Sequence, residues 1–145
     1  MSVTLRLLEK TDFNKGFLQV LSQLTKVGDI SQTQFNARFE ELSSNPAYSV
    51  FVGEKDGKIV CAATLLIEQK FIHQCSNVGH IEDVVVDSSF RGTGVGLALI
   101  QRLISHAKSS GCYKVLLDCA DKNVAFYQKC GMSDHGHEMV KYFDE

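Results

Sequence analysis

The stretch Arg91-Gly92-Thr93-Gly94-Val95-Gly96 constrains this chain more than any other. It follows a strand-like run, about Gly79 to Asp87, that contains Ile81-Glu82-Asp83-Val84-Val85-Val86. It opens a long amphipathic helix whose apolar face is Leu97, Ile100, Leu103, Ile104 and Ala107, with Gly111 as its stop. A glycine loop between a strand and a helix points several backbone N–H groups at one place, beside the positive end of the helix dipole. That suits a phosphate or pyrophosphate. Glycines let the backbone approach the anion, because no Cβ intervenes. The spacing is GxGxG rather than the GxGxxG of a dinucleotide fold, since Leu97 follows Gly96. The Gly-Lys-Ser/Thr of a Walker loop is absent. A ligand-free turn is the alternative, and three alternate glycines opening a helix favour the ligand.

The rest of the pattern predicts strands and helices from end to end. A first strand is expected from Val3 to Leu8. A helix capped by Thr11 or Asp12 follows, with Phe13, Phe17, Leu21 and Leu24 at steps of four, four and three. Ser31 and Gln34 form a capping box for a second helix with Phe35, Phe39 and Leu42 on one face. Tyr48 to Glu54 and Ile59 to Glu68 read as strands joined by an Asp56-Gly57 hairpin turn. Tyr113 to Asp118 reads as a buried strand, Asn123 to Cys130 as a short helix, and Glu138 to Phe143 as a last strand. Hairpins first and strand–helix alternation later predict an α/β (α+β) fold, a mixed sheet flanked by helices. With no repeat or linker, the 145 residues are expected to form one domain, 1–145.

Lys plus Arg is 15 and Asp plus Glu is 17, a formal charge of −2, so the basic excess of a nucleic-acid-binding domain is missing. No apolar run approaches the roughly 18 residues of a membrane span. Neither a signal peptide nor a terminal address is visible, so a cytoplasmic protein is expected. Five cysteines without a CxxC pair are expected to be reduced and mostly buried. His135 and His137 lack a third ligand, and no metal is expected.

The glycine loop resembles the acetyl-CoA pyrophosphate loop of the GNAT N-acetyltransferases (R/Q-x-x-G-x-G/A). Further blocks are similar to the glucosamine 6-phosphate N-acetyltransferases of that superfamily. They are Gly16-Phe17-Leu18, Leu24 to Gly28, Lys70-Phe71-Ile72-His73, Glu82 to Val86, Gly111 to Lys114, and Lys122 to Gly131. The blocks span nearly the whole chain in family order.

This resemblance implies a GNAT fold in which the strand before the loop bulges and splays from its neighbour to form the acetyl-CoA cleft. It implies acetyl transfer from acetyl-CoA to the amine of D-glucosamine 6-phosphate, a step toward UDP-N-acetylglucosamine, by direct attack without an acyl-enzyme. The cofactor side would comprise Val84, Val85, Val86, Arg91, Gly92, Thr93, Gly94, Val95, Gly96, Asn123 and Tyr127. Tyr127 would stabilise the leaving thiolate, with general-acid action as its limit. Glu82 and Asp83 would meet the sugar amine and hydroxyls and help remove the amine proton. Thr25, Lys70, Phe71, Ile72, His73, Asp118, Cys119 and Lys141 would complete the substrate site, with Lys70, His73 and Thr25 toward the phosphate and Asp118-Cys119 as the sugar-contacting pair. Lys141 stands where the family often has an arginine, and supplies a point charge without a bidentate fork. The family also implies a homodimer with sites completed across the interface. Alternatives are a relative acting on another small amine or a peptide N-terminus, or a non-catalytic CoA-binding domain.

Overall fold

Val, Ile and Leu runs at period two build a five-stranded sheet in this computed structural model, which describes residues 2–144. Met1 and Glu145, which bound the expected domain, lie outside the described residues. The strands are β1 (Thr4–Leu7), β2 (Tyr48–Lys55), β3 (Lys58–Gln69), β4 (Asn77–Val86) and β5 (Cys112–Leu116), and they neighbour one another in that order. The first three pairings are antiparallel and the last is parallel. Parallel strands need a crossover, and α4 (Val95–Ser109) supplies it.

Alternation along each strand splits the core in two. On one face Leu65, Ile81 and Ala63 pack with Leu99, Ile100, Leu103 and Ala107 of α4. On the other, Val52, Ala62 and Val85 pack with α1 (Phe17–Leu21) and α2 (Gln32–Ser43) through Phe17, Val20 and Phe35. No helix among the described residues is long and apolar enough to cross a membrane.

Local signals produced the expected elements. The Ser31–Gln34 capping box is formed in both directions. Asp56 and Gly57 both take positive φ, 51° and 78°, as a tight β-hairpin requires. Several expectations need correction. The single helix expected after β1 is a 3-10 segment, Lys10–Lys15, followed by α1; Gly16, at φ 85°, turns the chain left-handed between them. Its N-cap is Glu9 rather than Thr11 or Asp12. The buried strand expected from Tyr113 to Asp118 is the edge strand β5, and Tyr113 and Lys114 are exposed. The last strand expected over Glu138 to Phe143 is irregular and solvent-exposed, because no strand among the described residues lies beside it to complete its hydrogen bonds. The short helix α5 is Val124–Lys129, preceded by a 3-10 turn, Asp121–Asn123. The cysteines are unpaired, but only Cys61 and Cys130 are buried, while Cys75 and Cys119 are exposed.

Among the described residues, one charged side chain lies wholly inside. Asp12 is 0% exposed. Arg6 donates to both its oxygens at 2.8 Å and also to Glu54 at 2.6 Å, while the Glu9 backbone N–H donates at 2.8 Å. Burial pushes the Asp12 carboxyl up, but the Arg6 and Glu9 bonds outweigh it and hold it below the ordinary range. A depressed carboxyl contributes stability above its unfolded value near 3.9, and that stability is lost as pH falls through the lower folded value. Arg6→Met strands the buried carboxylate, which costs roughly 3–5 kcal/mol. Urea unfolding at neutral pH is expected to show that loss, largely recovered in Arg6→Met/Asp12→Leu. Equal stability of Arg6→Met and the parent would refute the pin.

Candidate active site

The parallel pairing of β4 with β5 stops at His80 opposite Leu116, while β4 continues to Val86. Beyond that point the β5 side of β4 carries no strand, so its backbone groups stay available to a ligand. The pairing of β4 with β3 slips in the same region. Thr64 faces Glu82 and Ala62 faces Val85, so β4 holds one extra residue. That residue step is a β-bulge, with Asp83 at φ 51°. The extra residue also shifts the alternation, so that Ile81, Val84 and Val86 all join the α4 face while Val85 joins the other.

The glycine loop follows the bulge. Asp87 accepts from the Ser89 backbone N–H at 3.0 Å and starts a 3-10 turn, Ser88–Phe90. Gln23, after α1, holds this corner from outside. Its amide donates to Asp87 at 2.6 Å and its carbonyl accepts from Ser88 N–H at 2.9 Å. Arg91 Nε donates to the Val86 carbonyl at 3.3 Å, and Thr93 Oγ1 to the Phe90 carbonyl at 2.5 Å. Gly92 and Gly94 take φ 80° and 90°, and a Cβ on either would meet nothing within 4 Å. Their backbone is therefore bare to solvent at the N-terminus of α4, which fits a bulky anion. Gly96 serves differently. A Cβ there would lie 3.3 Å from Phe126 Cζ and Val86 Cγ2, so its role is close packing of α4 against α5 and β4.

Tyr127 lies on α5 beside Cys119 and Asp118, at a cavity of about 580 Å³ that the tail residues from Ser133 to Glu138 help to line. Burial, then the neighbouring Cys119 and Cys130, pushes its phenol up to about 12, so it stays protonated and able to donate. Partial burial raises the Glu82 carboxyl, and the charges of Asp83, Asp118 and Glu138 add to that, while His80 opposes it. Burial and the charges of Asp134, Asp118 and Asp121 raise the Cys119 thiol, the opposite of what a nucleophilic thiolate needs.

The structure thus brings Glu82, Asp83, Asp118, Cys119 and Tyr127 to the splayed side of the sheet. Asn123 stands at the N-cap of α5, but its side chain makes no capping bond. Lys70 is ion-paired with Glu68 at 3.3 Å. His73 stacks on Tyr113 with ring centroids 4.1 Å apart, whereas Phe71 is 93% exposed and Ile72 about half exposed. His73 and Gln74 sit in the left-handed helical region within the turn α3 (Ile72–Cys75). Thr25 and Lys141 lie on exposed segments, the first after α1 and the second in the tail. Sequence reasoning missed Glu138, Gln23 and the Glu68–His80 pair. Only His80 left a signal, since period-two spacing puts it on the face of Glu82.

Comparison with known proteins agrees with this geometry. Residues 15–132 match the acetyltransferase (GNAT) family. The chain is 47% identical over 143 residues to the glucosamine 6-phosphate N-acetyltransferase of Arabidopsis thaliana, covering 97% of this chain and 96% of that protein. It is 41% identical over 142 residues to the enzyme of that name from Candida albicans, covering 97% and 95%. The crystal structure of the Arabidopsis thaliana enzyme superposes with a TM-score of 0.97 at 46% identity, covering 99% of this chain and 100% of that one. By the bulged and splayed β4, the glycine loop and these likenesses, the chain belongs to the acetyltransferase (GNAT) family.

Proposed function

We propose that this chain transfers the acetyl group of acetyl-CoA to the amine of D-glucosamine 6-phosphate, giving N-acetyl-D-glucosamine 6-phosphate and CoA. The observation that carries the reading is the gathering of Glu82, Asp83, Asp118 and Glu138 around the bulge of β4, on the side where Tyr127 stands. Such a negative field favours an amine acceptor. The near full-length likeness to relatives named for this acceptor supports the choice of amine.

Acetyl-CoA supplies the activated acyl group. Gly92, Gly94 and the first N–H groups of α4 would hold its pyrophosphate, with Arg91 and Thr93 beside them. The unpaired backbone of β4 along Val84 to Val86 would hold its pantetheine arm. Glu82, with its raised carboxyl, accepts the amine proton directly or through water. Asp83 and Asp118 orient the amine and hydroxyls. Tyr127 donates a hydrogen bond to the departing sulfur. Lys70, His73, Thr25 and Lys141 are the cations and donors proposed for the phosphate, with Lys141 acting on the partner copy of a homodimer.

Thiol release with acetyl-CoA and either glucosamine 6-phosphate or glucosamine tests the reading. Turnover is expected to favour the phosphorylated sugar by at least about 100-fold in kcat/KM, consistent with loss of charged hydrogen bonds. Equal turnover of both sugars, or CoA binding without turnover of any amine, would overturn it.

A further inference from the structure

We propose that His80, held by Glu68, is a positioning residue for Glu82, fixing the strand at the hinge of the splay on which the Glu82 carboxylate stands. This rests on the reading of Glu82 as the group that takes the amine proton.

The register places the three side chains on one face. His80 is opposite Leu66, Glu82 opposite Thr64, and Glu68 opposite Val78. Glu68 therefore reaches diagonally across the β3–β4 ladder, a separation long side chains can span. It meets His80 Nε2 through Oε1 at 2.9 Å. Glu82 is the next residue on that face, about 7 Å along the strand. His80 is also the last residue of β4 that pairs with β5, and the bulge begins after Glu82. The dyad thus grips β4 where it loses one neighbour and just before it bends.

The charges around it explain why a histidine suits the place. Glu68 faces it from β3 and is shared with Lys70, at 3.3 Å. Glu82 and Asp83 lie on β4, Asp118 lies beyond β5, and Glu138 lies in the tail. His80 is the group that opposes the repulsion Asp83, Asp118 and Glu138 exert on Glu82. A glutamine there would keep a hydrogen bond to Glu68 and lose the ring.

Carboxyl-carbon NMR titration of the full chain tests this, with the Glu82 signal assigned by its loss in Glu82→Gln. In His80→Gln the Glu82 midpoint is expected to rise by roughly 0.5–1 pH unit, the size expected of one nearby charge at a partly exposed site. Glu68→Gln is expected to shift it the same way by less, and the double variant no further than His80→Gln alone. At neutral pH kcat is expected to fall about tenfold in His80→Gln, through misplacement of Glu82 rather than a change in its ionisation, with acetyl-CoA affinity unchanged. An unmoved midpoint in a folded His80→Gln protein would overturn the proposal, and so would additive shifts in the double variant. Retention of full kcat by Glu82→Gln would instead overturn the underlying role of Glu82, whatever the midpoint does.

Discussion

Tyr127→Phe is expected to lower kcat by roughly 10²–10³-fold while leaving acetyl-CoA affinity nearly unchanged, the cost of removing one donor aimed at developing charge. The Tyr127 ring packs against the core and pairs edge-on with Phe126, ring centroids 5.0 Å apart. Burial and the neighbouring cysteines push it up to about 12. A free thiol titrates near 8.5. Handing the phenolic proton to the leaving sulfur is then uphill by about 3–4 pH units, or roughly 5 kcal/mol. The favoured role is a hydrogen bond that stays on the tyrosine and strengthens as the sulfur gains charge. Because that bond matters mainly in the transition state, its loss belongs in kcat. Pre-steady-state measurement with chemistry shown to limit the rate checks it. An unaltered kcat would remove Tyr127 from the mechanism.

Features set by neighbours in sequence were the ones the sequence disclosed. Ser31 and Gln34 cap α2 because three residues separate them, and Asp56-Gly57 turns because only a few residue types accept positive φ there. Gly16 was legible as a glycine but not as the break that splits the first helix, since the apolar spacing from Phe13 to Phe17 runs straight through it. The bulge could not be read from residue types. Asp83 at φ 51° is an effect of strand register, and the local run Glu82 to Val86 reads as an ordinary strand; only resemblance pointed to it. Glu68 and His80 were likewise invisible as a pair, twelve residues apart and joined by the β3–β4 register. Lys70 illustrates the limit of motif reading. Its place in Lys-Phe-Ile-His nominated it for phosphate, and the structure gives it a carboxylate partner that a phosphate must displace.

Removal of residues 139–145 is expected to abolish both dimerisation and turnover of glucosamine 6-phosphate. Met139 is 90% and Phe143 84% exposed, and Val140 and Tyr142 are more than half exposed. So dense a run of large apolar side chains in water is unusual for an isolated subunit and marks a contact surface. The same segment has apolar residues at both odd and even positions, as a strand covered on both faces would, yet it forms no strand within its own chain. In addition, β5 is an edge strand with Tyr113 and Lys114 exposed, and an open edge invites pairing with another chain. A C2 dimer would answer both, because a symmetric interface lets each copy cover the other's tail and edge. It would also carry Lys141 to the partner's sugar phosphate. Loss of the tail should therefore remove more than a surface. Glu138 stays in the shortened chain, while Lys141 goes with the tail. Light scattering and acceptor assays on the shortened protein, with unfolding curves to confirm that the sheet survives, test the arrangement. A fully active monomer at assay concentration would reject it and would leave Lys70 and His73 as the phosphate contacts within one chain.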